Sequence, residues 1–395
     1  MKLGIFGGTF NPIHTGHVNL ARRCIEALGL DELLLIPTSL PPHKDGGEVS
    51  DPSHRLAMCR LAVRDDPAIT VSDLEIARGG KSYTVDTLRL LKVQRPGDEL
   101  FLLMGSDMFY SLERWFCADE VLRLATVVAV AREEGEQNAL IEHRDHLNAL
   151  GARARVVELE PIVTSSTEIR KGEKEDTIPP IVELYLEQNA LYGRPLKIDL
   201  DLDELTQRLR GMLSRDRFTH TLNVANEALR LAQQYGADPM LAYLAGLLHD
   251  ICKEFPQDKM LKILEGSAII TDKTFLASPR IWHGHAAAIY IERECSILNA
   301  QIIEAVRFHS TGHAPMPLLD QIIYLADLIS AERSYPGVEA LRAKAYGSLE
   351  AAMLEALQFI VGDLARKGQP VLNETFQAYN LFAHLARAEE GTDVG

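Results

Sequence analysis

Short apolar runs alternate with amphipathic stretches through the first half of the chain. Leu3 to Phe6 is an apolar run stopped by Gly7-Gly8. Glu32 to Pro37 (ELLLIP) reads as a second buried strand, Ile69 to Ser72 as extended, and Glu99 to Met104 (ELFLLM) and Thr126 to Ala131 (TVVAVA) as two more strands. Between them His17 to Leu28, His54 to Val63 and Thr84 to Val93 are helical in spacing. Apolar runs without polar alternation are strands covered on both faces. Their alternation with helices predicts a parallel sheet in a doubly wound α/β domain.

After about residue 178 the strand pattern stops. Leu205 to Leu213, Thr219 to Tyr235, Met240 to His249, Ile302 to His309 and Leu318 to Ala331 all place apolar residues at helical intervals, so the second half is expected to be an all-α bundle. Tyr192-Gly193-Arg194-Pro195 carries the Gly and Pro that end helices. The expected division is 1–193 for the α/β domain, 194–200 for a linker, 201–388 for the helical domain and 389–395 for a frayed tail.

Bulk properties narrow the classes of function. The chain has 395 residues, enough for two or three domains, and 46% of them are hydrophobic. A formal net charge of -15 argues against a general nucleic-acid binder or a protein docked on anionic lipid, while leaving small anionic ligands open. The five cysteines, Cys24, Cys59, Cys117, Cys252 and Cys295, form no CxxC pair. They read as reduced, buried thiols of a cytoplasmic protein. No segment has the length and apolarity of a signal-peptide core or a membrane span.

Candidate chemistry in the first half centres on Gly7-Gly8-Thr9-Phe10-Asn11-Pro12-Ile13-His14-Thr15-Gly16-His17, which follows the first strand and opens a helix. Glycines let backbone approach a phosphate, and free N–H groups at a helix start favour an anion. Histidines three apart share a helix face. Either histidine alone would read as a surface residue; the context makes them phosphate contacts. The segment resembles the HxGH signature of the nucleotidyltransferases, and the first 190 or so residues resemble bacterial nicotinate-nucleotide adenylyltransferases. Further matches are Pro41-Pro42-His43-Lys44, Tyr83-Thr84-Val85-Asp86-Thr87, Gly105-Ser106-Asp107 and Ser165-Ser166-Thr167-Glu168-Ile169-Arg170, the last alone being only a capping box. Asn11 departs from the family's usual Asp.

The resemblance implies attack of a mononucleotide phosphate on the α-phosphate of ATP, with Mg²⁺ bridging phosphate oxygens and pyrophosphate leaving. It assigns His14 and His17 to the ATP phosphates, Ser166, Thr167 and Arg170 to pyrophosphate, and Lys44 to added positive charge. Gly7, Gly8, Thr9, Phe10, Gly105 and Asp107 line the site; Trp115, with Tyr83 and Thr84 nearby, either stacks on the nicotinate ring or is a core residue. His14 stands where pantetheine-phosphate adenylyltransferases carry Thr, which favours nicotinate or nicotinamide mononucleotide.

In the second half His220, the adjacent His249-Asp250, His283, His309 and Asp327 all lie in apolar helical stretches. Buried His and Asp are costly unless paired or bound to metal. An adjacent His-Asp can serve two ions through a bridging carboxylate, and mixed imidazole and carboxylate suits Fe, Mn or Zn rather than Ca. His285 is an alternative to His283, and His313 reads as a loop residue. The order H…HD…H…H…D resembles the His-Asp (HD) metal phosphohydrolases. More narrowly, residues 200–388 resemble the bacterial symmetrical bis(5'-nucleosyl)-tetraphosphatases. That resemblance implies a di-iron centre splitting diadenosine tetraphosphate into two ADP, with Asp250 and Lys253 in the chemistry, Lys253 as a phosphate contact, and Arg333 as a phosphate contact or a surface residue. Other HD phosphohydrolases or phosphodiesterases, and a non-catalytic nucleotide-binding module, are the alternatives.

Overall fold

The computed structural model describes every residue except 41–48, 131–134, 158–164, 266, 268, 270, 271 and 393–395. The chain divides into two compact units, Met1–Pro195 and Leu196–Gly395.

The first unit is built on six parallel strands: β1 (Lys2–Gly8), β2 (Glu32–Pro37), β3 (Ile69–Val71), β4 (Glu99–Gly105), β5 (Thr126–Val130) and β6 (Ala154–Val157), in the order β3-β2-β1-β4-β5-β6. This is the doubly wound parallel sheet expected from the sequence. Alternate residues explain the unbroken apolar runs. Leu3, Ile5, Leu34, Ile36, Leu100 and Leu102 pack with Val85, Leu88 and Leu91 on one face, while Leu33, Leu35, Phe101 and Leu103 of the opposite parity are equally buried. The strand missing from the sequence reading is β6. It is a short edge strand (ARVV) of four residues, buried only at its two ends, too brief for a period to stand out.

Strand order reverses between β1 and β4. In open parallel sheets the crevice beyond the strand C-termini at such a point is where ligands bind. The turn Thr9–His14 leaves β1 there, and Gly105-Ser106-Asp107 closes β4.

The second unit is helical throughout, with no strand among the described residues. Its helix starts are written in the sequence: the side chains of Asp201, Ser214, Asp238, Asp272 and Asn299 each accept a backbone N–H from the first turn that follows. Two glycines set the closest helix crossings. A Cβ on Gly246 would stand 2.7 Å from Ala225 Cα, so helix Pro239–Leu248 lies directly against helix Arg215–Tyr235. A Cβ on Gly284 would stand 2.7 Å from the Arg307 carbonyl, so helix Trp282–Glu294 lies against Ala300–Phe308. The first crossing brings His220 near His249, and the second brings His283 near His309.

The last helix is Asn373–Thr392. One reading needs correction. Cys117 is exposed, on a turn with φ 52°, and Cys295 is only half-buried; Cys24, Cys59 and Cys252 are buried.

Candidate functional site

In the first unit the residues between β1 and helix Thr15–Leu28 form a tightly held turn. Phe10 has φ 48° and the Asn11-Pro12 bond is cis. Gly8 is required by close approach, since a Cβ there would meet the Phe10 ring at 2.8 Å. The glycine expected to let backbone approach a phosphate thus also makes room for an aromatic ring. Phe10 in turn packs edge-on to His17, 5.1 Å between ring centres, and the His14 and His17 rings stack at 3.7 Å. The His14 N–H donates to His17 Nδ1 at 3.3 Å. A neutral His17 therefore carries its proton on Nε2, the nitrogen suited to donate to a phosphate oxygen.

The second signature folds back onto this turn. Ser166 Oγ donates to the Pro12 carbonyl at 2.9 Å, and Arg170 Nη1 donates to the Asn11 carbonyl at 2.8 Å. Arg170 Nη2 also meets Thr167 Oγ1 at 3.2 Å. Segments more than 150 residues apart are thus joined, both starting short or long helices at one place. Of the remaining expected residues, Tyr83 pairs with Phe116 (ring centres 5.0 Å apart) and precedes Thr84, the first residue of its helix. Trp115 is half-buried, its Nε1 donating to Ser111 Oγ at 3.2 Å. Gly105 ends β4 with the exposed Asp107 just beyond it. Lys44 lies outside the described residues.

Three residues that the sequence did not single out hold the turn. Arg55 is 0% exposed and donates to three carbonyls: Ser50 (3.0 Å), Thr9 (2.8 Å) and Ser39 (2.9 Å). Asn11 Oδ1 accepts from Ser50 N–H (3.1 Å), Ser50 Oγ (2.8 Å) and the Tyr192 hydroxyl (2.6 Å). An acceptor with that many donors suits Asn or Asp alike, which accounts for Asn11 in place of the usual Asp. Ser50, Arg55 and Tyr192 carry no local sequence signal, because their partners lie at turns far along the chain.

In the second unit the six expected ligands gather. His220, His249 and Asp250 form one group whose donor atoms all lie within 4.8 Å of one another; His249, His309 and Asp327 form a second, and Asp250, His283 and His309 a third. His283 is the residue in this cluster. His285 points elsewhere, ringed by Phe275 and Phe308, and burial pushes its imidazole pKa down to about 3. His313 is not a simple loop residue: it pairs with buried Asp320 at 2.5 Å and stacks on Phe308.

Proton positions fit a cation. Nδ1 of His249, His283 and His309 faces the carbonyl three residues earlier, at Gly246 (2.7 Å), Arg280 (2.9 Å) and Val306 (2.7 Å), and Nδ1 of His220 faces Glu332. Each Nδ1 is thereby the donor, and each Nε2 presents a lone pair inward. The Nε2 atoms of His283 and His309 are only 3.0 Å apart, an arrangement that needs a proton or a metal ion between lone pairs. Buried His220 Nε2, His249 Nε2 and Asp250 Oδ1 have no hydrogen-bond partner among the described residues. The donor set therefore fits one or two transition-metal ions. Burial alone would raise the Asp250 carboxyl, but the surrounding imidazoles of His249, His283 and His309 outweigh it and hold it well below the carboxylate range. Asp327 follows the same pattern, through His220, His249 and Arg333.

Three half-exposed cations stand around this buried group. Arg217 Nη1 meets Asp250 Oδ2 at 2.8 Å, Lys253 Nζ lies 3.6 Å from Asp250 Oδ1, and Arg333 Nη2 meets Asp327 Oδ1 at 2.5 Å. Ser310 Oγ lies 3.0 Å from His309 Nε2 and 3.2 Å from His283 Nε2. Arg217 and Glu332 were not legible as site residues; each sits in a polar stretch that reads as surface.

These features define two classes of site, a nucleotidyltransferase-type turn on a parallel sheet and a His/Asp metal-type cluster in a helical bundle. Residues 5–172 match the cytidylyltransferase-like family, and residues 217–332 match the HD domain. The chain belongs to the nicotinate-nucleotide adenylyltransferase family, with an HD domain fused behind it. It is 37% identical over 197 residues to the nicotinate-nucleotide adenylyltransferase of Bacillus subtilis, covering 48% of this chain and 98% of that protein. A Mycoplasma genitalium protein named probable nicotinate-nucleotide adenylyltransferase/Ap4A hydrolase is 27% identical over 332 residues, covering 84% of this chain and 88% of that protein. A Clostridium acetobutylicum crystal structure, described as a predicted HD superfamily hydrolase involved in NAD metabolism, is 31% identical, with a TM-score of 0.46 over 47% of this chain and 98% of that one.

Proposed function

We propose that the first unit transfers the adenylyl group of ATP to nicotinate mononucleotide, making deamido-NAD and pyrophosphate. The second unit then hydrolyses diadenosine tetraphosphate to two ADP. The carrying observation for the first unit is the joining of the two signature segments through Ser166 and Arg170 to the carbonyls of Pro12 and Asn11. In the transfer, an oxygen of the mononucleotide phosphate bonds to the α-phosphorus of ATP, and the bond from that phosphorus to the bridging oxygen breaks. Mg²⁺ accompanies ATP. The work left to the protein is positioning and charge stabilisation. His17 Nε2–H, His14 and the helix start at Thr15 address the transferring group, and Thr167 and Arg170 address pyrophosphate. Tyr83 and Trp115 supply aromatic surface for the nicotinate ring.

For the second unit the carrying observation is the convergence of four Nε2 lone pairs on two carboxylates. Bound transition metals, iron or manganese, would supply Lewis-acid charge and a water acidic enough to attack near neutral pH. His220, His249, Asp250, His283, His309 and Asp327 would hold them. Arg217, Lys253 and Arg333, each about a third exposed, are placed to grip a polyphosphate. In the hydrolysis, water oxygen bonds to one of the two central phosphorus atoms. The central P–O bridge breaks, and the leaving ADP takes the electron pair. Unpaired cysteines fit a cytoplasmic protein.

The test is product analysis with purified protein, Fe²⁺ or Mn²⁺ and diadenosine tetraphosphate, beside Asp250→Ala. Two ADP from the wild type alone support the reading. ATP plus AMP would refute the symmetrical cut, and no turnover would favour another HD substrate or a nucleotide-binding module. Parallel assays of nicotinate and nicotinamide mononucleotide with ATP test the first unit, where nicotinate mononucleotide is expected to be the better substrate.

A further inference from the structure

Among the four clustered imidazoles, three are oriented by backbone. His249 and His309 follow the last residue of their helices, and His283 is the second residue of its own. At helix ends a ring can reach the carbonyl three residues before it, as each of these does. His220 has no such option. It is the sixth residue of the 21-residue helix Arg215–Tyr235, where backbone carbonyls are taken up by the helix itself. Its Nδ1 instead meets the carboxylate of Glu332, from the turn after helix Leu318–Ile329. That carboxylate is fixed on both oxygens: Ser330 Oγ donates to Oε1 at 2.7 Å, and Asn223 Nδ2 donates to Oε2 at 2.7 Å. Asn223 lies one turn beyond His220 on the same helix, so both groups approach Glu332 together.

We infer that Glu332 is a positioning residue that makes the His220 side of the centre the tighter of two metal sites. The inference rests on the metal-centre reading above. An anion behind Nδ1 does two things that a carbonyl does less well: it locks the tautomer, and it makes Nε2 a stronger donor. His220 Nε2 lies 3.0 Å from Asp327 Oδ1 and 3.8 Å from Asp250 Oδ2, and groups with His249. Three of the ligands, His249, Asp250 and Asp327, thus surround the imidazole that Glu332 strengthens. The other group, Asp250, His283 and His309, has only carbonyls behind its imidazoles, and the Lys253 ammonium stands 3.0 Å from His283 Nε2. An ammonium there opposes a second cation. Loading should therefore occur in two steps, with the His220 side filled first.

The experiment titrates Co²⁺ into the metal-stripped full-length protein, followed by calorimetry and by visible ligand-field absorbance. Wild type is expected to bind in two resolved steps, with His283→Ala losing only the weaker one. Glu332→Leu should weaken the tighter step by about 10- to 100-fold and leave the weaker step in place. Glu332→Gln, which keeps an acceptor for Nδ1–H without the charge and is the variant of choice should the leucine variant not fold, should fall between. Two equal steps in the wild type, or variants whose titrations superimpose on the wild type, would overturn the role of Glu332. A wild type that binds no Co²⁺ would overturn the metal-centre reading itself.

Discussion

Replacing Arg55 by lysine probes how the Thr9–His14 turn is held. The guanidinium is fully buried and bonds the carbonyls of Ser50, Thr9 and Ser39 from three separate nitrogens. A lysine ammonium is a compact donor on a linear stem and cannot span three carbonyls in a fork. One or two of these bonds would be lost, each contributing about 1.5–3 kcal/mol as a charged hydrogen bond. The expected destabilisation is roughly 2–5 kcal/mol, or a fall of about 4–20 °C in the melting of the first unit at about 2–4 °C per kcal/mol. Activity should fall further than stability, because the Thr9 carbonyl adjoins the backbone that turns into His14. A displacement near 1 Å at reacting groups costs on the order of 100-fold. Calorimetry and steady-state adenylyl transfer measure both quantities, with the melting of the second unit as an internal control expected to stay at the wild-type value. An Arg55→Lys protein with wild-type melting and wild-type kcat/KM would refute the claim that this buried fork holds the turn.

Three further outcomes follow from other contacts. Asn11→Asp keeps the acceptor and should retain adenylyl transfer within about threefold, whereas Asn11→Leu removes the shared acceptor of the Ser50 N–H and the Ser50 and Tyr192 hydroxyls and should cost roughly 1–3 kcal/mol; equal melting of the two variants would count against the network. Gly284→Ala puts a methyl 2.7 Å from the Arg307 carbonyl and 3.3 Å from His309 Cε1, so it should destabilise the second unit by about 1–3 kcal/mol and lower its bound metal. Wild-type melting and metal content together would sink that account. Glu75 is 5% exposed, and burial raises its carboxyl above the ordinary value despite a hydrogen bond from Thr87. A raised folded-state pKa means that the charged form is disfavoured in the fold, so stability is lost as pH rises through the carboxylate range. Glu75→Gln should accordingly melt higher than wild type at pH 8, with the difference closing by about pH 4; a gap independent of pH would contradict the assignment.

Much of this architecture is readable in the chain because burial and residue type conflict visibly. Leu33 to Ile36 are apolar without alternation, which only a strand covered on both faces allows, and the sheet supplies both covers. Asp201, Ser214, Asp238 and Asn299 announce helices because their side chains satisfy N–H groups that a helix start leaves open. His249-Asp250 stands out in LAGLLHDIC for the same reason: a charged pair in an apolar stretch requires a partner. Strand β6 had no such contrast, and His285 could not be separated from His283 by spacing, since both are buried on one helix. The choice is made by the neighbours each ring meets, Phe275 and Phe308 for one and Asp250 and His309 for the other.

The residues that escaped sequence reading share a physical character. Arg55, Tyr192, Arg217 and Glu332 are long polar side chains in stretches whose composition is ordinary for a protein surface. Their function comes from where the far end of the side chain arrives, and that end meets groups more than 30 residues away: 46 for Arg55 to Thr9, 181 for Tyr192 to Asn11, 33 for Arg217 to Asp250 and 112 for Glu332 to His220. A ligand or nucleophile must be a particular residue type and so leaves a mark in the sequence. A residue that orients it need only reach, and several types can reach. Substitutions at these four positions would therefore look mild from sequence, yet act on the two sites through the geometry of His14, Asn11, Asp250 and His220. The structure predicts that their effects on catalysis or metal affinity will exceed what exposed polar residues ordinarily contribute.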